Sequence, residues 1–224
     1  HVYGHYGLSV LLFPSISDKI IENEEKGIID SILPFIKNGK IKVFAIEGIL
    51  NSSWLDKNLD PKSSSDRLYE YNEFINQEVI PFIYDRCGGP APLITCGAAN
   101  GAYLAANTYF RRPDVFLGTV AVDARYDIRD YTKGYFDQNC YFNSPVDYIP
   151  NMDDDYWLTY LKSRKHVYLV SGKGNSCNPA STEIVSQILN NKSIKHTMDL
   201  WSEEYNFDHN SWRKIIPHYF STRL

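Results

Sequence analysis

The chain has 224 residues, enough to bury a large core, and its apolar and charged shares of 43% and 22% are those of an ordinary globular chain. A net charge of −4 with scattered basic residues leaves no electrostatic footprint for nucleic acid. No apolar stretch is long enough to span a bilayer, and the four cysteines lack metal-ligand spacing.

In chain order, near-continuous apolar or β-branched runs predict strands at 8–13, 41–46, 93–97, 117–123, 166–171 and 196–201. Helical periodicity falls between them. Asp18 is placed to cap a helix over 18–37, where Ile21, Ile28, Ile29, Ile32, Leu33 and Ile36 recur on one stripe. A second helix is expected over 65–86, then 102–112, 181–190 and 211–219. Pro34 and Pro81 fall inside two of these and should kink them. Strands alternating with helices argue for a mostly parallel sheet covered on both faces. One domain over 1–224 is expected, with a long aromatic, cap-like insertion at about 124–164.

The run Thr95-Cys96-Gly97-Ala98-Ala99-Asn100-Gly101-Ala102 carries the most chemical information. It reads as a strand, a tight turn flanked by glycines, and the start of a helix. This is the G-x-S-x-G pattern of a nucleophile elbow with alanine at the serine position. Ala99 has no atom that can attack a carbonyl.

Several further segments, in this order and spacing, carry a resemblance. They are Tyr3-Gly4-His5-Tyr6-Gly7, Leu11-Leu12-Phe13-Pro14, Ser53-Trp54-Leu55 and Arg112-Pro113-Asp114-Val115-Phe116, followed by Tyr126-Asp127-Ile128-Arg129, the stretch Tyr141-Phe142-Asn143-Ser144-Pro145-Val146-Asp147-Tyr148, and Asp208-His209-Asn210-Ser211-Trp212. Over essentially the whole chain the sequence resembles bacterial esterases of the esterase D-like group within the α/β hydrolases. The resemblance implies a three-layer α/β sandwich with a mostly parallel central sheet. It also implies a triad in the order Ser…Asp…His.

Matched residue by residue, the triad positions are Ala99, Asn175 and His209, so only the histidine is present. Asp123, at the end of a predicted strand, is an alternative acid. The oxyanion hole implied by the family takes the N–H of Asn100 and one from the loop at Ser15. That loop continues Ile16-Ser17-Asp18, where a carboxylate would oppose a developing oxyanion. Cys96, Ser15 and Ser17 are the candidate substitute nucleophiles. Cys96 falls inside a strand, and neither serine sits on a strained turn.

The expectation is therefore an esterase-like scaffold that has lost serine-hydrolase activity and keeps a binding or interaction role. The alternatives are an active carboxylic-ester hydrolase with a non-standard site, or an esterase inactivated by a laboratory serine-to-alanine change. Departures at three separate places argue against the last. Tyr126, Tyr135, Tyr141 and Trp157 of the aromatic segment are candidate walls of a ligand crevice above Ala99 and His209. No cofactor or metal is implied, and the partner is an unspecified small molecule or protein. The chain opens at His1 inside a strand pattern, so a longer gene product is expected. The compartment is left open, with the cytoplasm as first choice.

Overall fold

The computed structural model describes residues 1–224. A seven-stranded sheet organises the chain. Its strands are β1 (Val2–Tyr3), β2 (Leu8–Leu12), β3 (Ile41–Ala45), β4 (Leu93–Ala98), β5 (Gly118–Val122), β6 (His166–Ser171) and β7 (Thr197–Leu200). The spatial order is β1-β3-β2-β4-β5-β6-β7. All pairs are parallel except β1 with β3. The six strands read from sequence are β2 to β7; β1 is too short to leave a periodic signal.

The strands alternate their side chains between two apolar layers, as the period of two requires. Leu11, Phe13, Phe44, Leu93, Ala121, Val167 and Leu169 face one core. Val10, Leu12, Val43, Ile94, Cys96, Val120, Val122 and Val170 face the other. The helices are α1 (Glu22–Glu25), α2 (Ile28–Lys37), α3 (Pro61–Phe74), α4 (Ile80–Cys87), α5 (Asn100–Arg111), α6 (Arg129–Thr132), α7 (Gln138–Phe142), α8 (Pro145–Tyr148), α9 (Asp155–Ser163), α10 (Pro179–Asn191) and α11 (His209–Thr222). Residues of α2 and α11 close the second layer, and residues of α3, α4, α5 and α10 close the first. The result is the α/β sandwich expected, with a mostly parallel sheet.

Two helices differ from the sequence reading in ways that matter for the site. The 18–37 segment is not one helix. Gly27 takes φ 71°, which ends α1 and restarts the chain as α2. Asp18 caps nothing: its carboxylate accepts from the N–H and hydroxyl of Ser52, both at 2.9 Å. The second helix begins earlier than 65, because Asp60 accepts from the Ser63 N–H and Pro61 occupies the first turn. Those two residues form a standard N-terminal signal. Ahead of Pro81, residues Ile75–Val79 form a π turn, one known accommodation of an interrupted helical ladder. Helix α2 continues through Pro34.

Register brings the functional loops together. Leu12 pairs with Cys96, Ala98 with Val122, and Val122 with Val170. The carboxyl ends of β2, β4, β5 and β6 therefore lie side by side, where open parallel sheets form their crevices.

Candidate functional site

The elbow follows from two close approaches. A Cβ on Gly97 would lie 2.3 Å from the Gly101 carbonyl oxygen, and a Cβ on Gly101 would lie 2.3 Å from that of Pro14. Neither distance is possible for a real side chain. Between these glycines Ala99 takes φ 51° and ψ −119°, at the N-terminus of α5. Such a conformation in a non-glycine residue stores on the order of 1–3 kcal/mol of strain. The turn keeps a nucleophile's backbone and presents a methyl group.

Four backbone donors around the turn are already engaged. The Asn100 N–H donates to the Ser15 carbonyl at 2.9 Å, and the Gly101 N–H reaches the same oxygen at 3.4 Å. The Ser15 carbonyl thus faces the elbow amides as their acceptor. The next two N–H groups in that loop, of Ile16 and Ser17, donate to the carboxylate of Glu22, at 3.1 and 2.8 Å. The Ser17 hydroxyl donates to it as well, at 2.9 Å. Glu22 is 5% exposed.

His209 completes this cluster. Its Nε2 lies 2.9 Å from Glu22 Oε1, and its ring meets Trp212 edge-on at 4.8 Å. It is positioned by the first turn of α11, where Asp208 accepts from the Ser211 N–H. Glu22 is thus a buried carboxyl group at the pocket. Two loop amides, a hydroxyl and an imidazole converge on it.

Asp123 and Asn175 are not brought to His209. Asp123 is buried at the end of β5 with φ 57°. Its Oδ1 accepts from the Ser171 hydroxyl and the Gly172 N–H, and its Oδ2 accepts from the Trp212 indole at 2.8 Å. These donors tie three elements together beneath the site. Asn175 is exposed, and only its main chain is engaged, with Asn206 and Phe207. Burial pushes the Cys96 thiol up to about 12, so it stays protonated and non-nucleophilic. The four cysteines are free thiols.

The sequence leads one to expect a crevice joining Ala99, His209 and the aromatic segment; none of the larger cavities joins them. The cavity beside His209, about 430 Å³, is lined by Ile16, Ser17, Lys19, Glu22, Glu25 and Lys26. No ring of the aromatic segment reaches it. Tyr126 is fully buried in the core. Tyr135 packs on Trp54 and donates to Asp137. Tyr141 and Trp157 line a different cavity, beside the far end of α5. Tyr131 approaches the elbow, its hydroxyl 3.4 Å from Asn100 Oδ1.

The physical reason is a buried amide network that draws the segment onto α3 and α5. Asn143 Oδ1 accepts from Asn72 and Asn107, and the Asn143 carbonyl accepts from Tyr103. Glu22 is the residue the sequence did not expose. Read as part of one helix from Asp18, it merges with Glu24 and Glu25 into an ordinary acidic surface run. The break at Gly27 was the signal that could have isolated it.

Comparison with solved structures places the architecture. The chain superimposes on a ferulic acid esterase at 17% identity, covering 96% of this chain and 84% of that one, with a TM-score of 0.64. It matches the MPT51 protein of Mycobacterium tuberculosis at 14% identity, covering 98% and 90%, with a TM-score of 0.67. An S-formylglutathione hydrolase from Agrobacterium tumefaciens aligns at 12% identity over 98% and 83%, also at 0.67. No family model matches the sequence, and no curated protein matches it. At these identities the likeness is one of fold: the chain shares the α/β sandwich, with its mostly parallel sheet, of these solved proteins.

Proposed function

We propose that this chain is an esterase-type scaffold that does not carry out acyl transfer and whose retained role is binding. One observation carries the reading. At the elbow, Ala99 replaces the nucleophile while Ser15 and Glu22 occupy the surrounding backbone donors. An oxyanion hole works by offering unoccupied, preorganised donors to charge that develops in the transition state. Here the Asn100 N–H is held by a carbonyl, and a permanent carboxylate takes the neighbouring amides. Substrate oxygen would have to displace a charge-assisted contact before receiving any stabilisation.

The histidine is compromised in the same way. A catalytic imidazole takes a proton from the nucleophile on one nitrogen and is oriented by an acid on the other. The Nε2 of His209 meets Glu22 rather than a hydroxyl. The Ser17 hydroxyl also points to Glu22, so the carboxylate stands between serine and histidine. That order cannot pass a proton from serine to imidazole directly.

The test is hydrolysis of p-nitrophenyl acetate by the purified chain. The expected rate is non-saturable and unchanged within about twofold by His209→Ala, since loss of a triad nucleophile alone costs on the order of a million-fold. A saturable rate that His209→Ala abolishes would overturn the reading in favour of a hydrolase with a non-standard site.

A further inference from the structure

The cavity at the far end of α5 holds a feature the elbow does not explain. Two consecutive arginines end α5 in opposite circumstances, and only the first lines this cavity. Arg112 is fully paired: Nε and one terminal nitrogen donate to the two oxygens of Asp114 at 2.9 and 2.8 Å, and the other donates to Asn76. Arg111 has no carboxylate within ion-pair distance. Its single protein hydrogen bond is a long one, 3.3 Å, to Asn143 Oδ1, which already accepts from Asn72 and Asn107.

A half-buried guanidinium with most of its donors free of protein partners is open to a ligand that reaches it. A rigid fork of five donors is suited to bidentate contact with a carboxylate. Arg111 lines a cavity of about 310 Å³ whose other walls include Phe110, Tyr141, Phe142, Tyr148 and Trp157. That volume is at the lower end for small-molecule sites. Phe142 is 45% exposed at this cavity and meets Tyr141 edge-on at 5.1 Å. The helix rise puts Arg111 roughly 16 Å along α5 from the elbow.

We propose that this cavity binds a small monocarboxylate with an aromatic body, the carboxylate on Arg111 and the ring among Tyr141, Phe142 and Trp157. The cation supplies orientation and the rings supply apolar area with geometric preference for another ring. Charge complementarity selects the acid over its neutral analogues. The site gives the binding role proposed above a location. It is separate from the elbow, so its failure would leave the ester-hydrolysis result standing, and the reverse also holds.

The test is calorimetric titration of the full chain with 4-phenylbutyrate. Saturable one-site binding is expected, weakened at least about tenfold by Arg111→Gln and by replacing the acid with 4-phenylbutyramide. The acid and amide should bind the Arg111→Gln chain equally, because the discriminating charge is gone. Trp157→Ala should weaken both ligands by a similar factor. If Arg111→Gln does not fold, the acid-against-amide ratio on the unaltered chain and the Trp157→Ala result still decide. No saturation up to about 10 mM, or equal affinity for acid and amide on the unaltered chain, overturns the proposal.

Discussion

Ala99→Ser is expected to leave ester hydrolysis within about tenfold of the background of the unaltered chain, although it restores the one atom the elbow lacks. The hydroxyl would be presented by a turn of the right shape, at φ 51°, but into an occupied site. Glu22 would sit on the neighbouring loop amides and on His209, and its carboxylate would oppose negative charge developing beside it. Each oxyanion donor withheld costs on the order of a hundredfold to a thousandfold. Combining Ala99→Ser with Glu22→Ala releases the Ile16 and Ser17 amides and Nε2 of His209 together. The double variant should therefore exceed the single one by about a hundredfold in kcat/KM for p-nitrophenyl acetate. It would still fall far short of an efficient esterase, because no acid orients His209 and the Asn100 N–H remains on Ser15. Equal rates for the single and double variants would show that Glu22 does not block the site.

The second large effect is on stability. Asp123→Ala should destabilise the fold by about 3–5 kcal/mol, lowering the melting temperature by roughly 10 °C. The carboxylate is buried and accepts from the Ser171 hydroxyl, the Gly172 N–H and the Trp212 indole. Alanine would leave the buried Gly172 N–H and Trp212 indole without an acceptor, and the Ser171 hydroxyl with only the Gly172 carbonyl, at the point where β5, β6 and α11 meet. Asp123→Asn should recover only part of the loss. An amide retains one acceptor oxygen, but its NH2 would face the N–H of Trp212 or the donors of Ser171 and Gly172. Thermal unfolding followed by circular dichroism measures both. A change below about 1 kcal/mol for Asp123→Ala would mean that solvent replaces the lost acceptor.

Much of the architecture was legible in the sequence for a definite reason. Buried parallel strands carry unbroken apolar runs, and the runs at 8–13, 41–46, 93–97, 117–123, 166–171 and 196–201 match six of seven strands to within a residue or two. The elbow was legible because steric necessity fixes Gly97 and Gly101. The contents of the site were less so. Ala99 and His209 lie on rigid elements whose ends are marked by glycines and a cap. Glu22 belongs to a four-residue helix whose separation depends on one left-handed glycine. The destination of the aromatic segment was also hidden. It is set by Asn143, whose amide gathers Asn72 and Asn107 from distant parts of the chain, and long-range polar networks have no local period. Tyr126, Tyr135, Tyr141 and Trp157 are therefore divided among the core, Trp54 and a cavity remote from the elbow.

The most direct measurement is intact-mass spectrometry of the unaltered chain after prolonged incubation with a fluorophosphonate. Reaction requires an activated hydroxyl beside anion-stabilising donors. With Ala99 at the turn and the Ser17 hydroxyl held by Glu22, the chain should keep its unmodified mass. A stoichiometric adduct, mapped to Ser17 or to any other residue and lost in His209→Ala, would contradict the account and identify a working nucleophile.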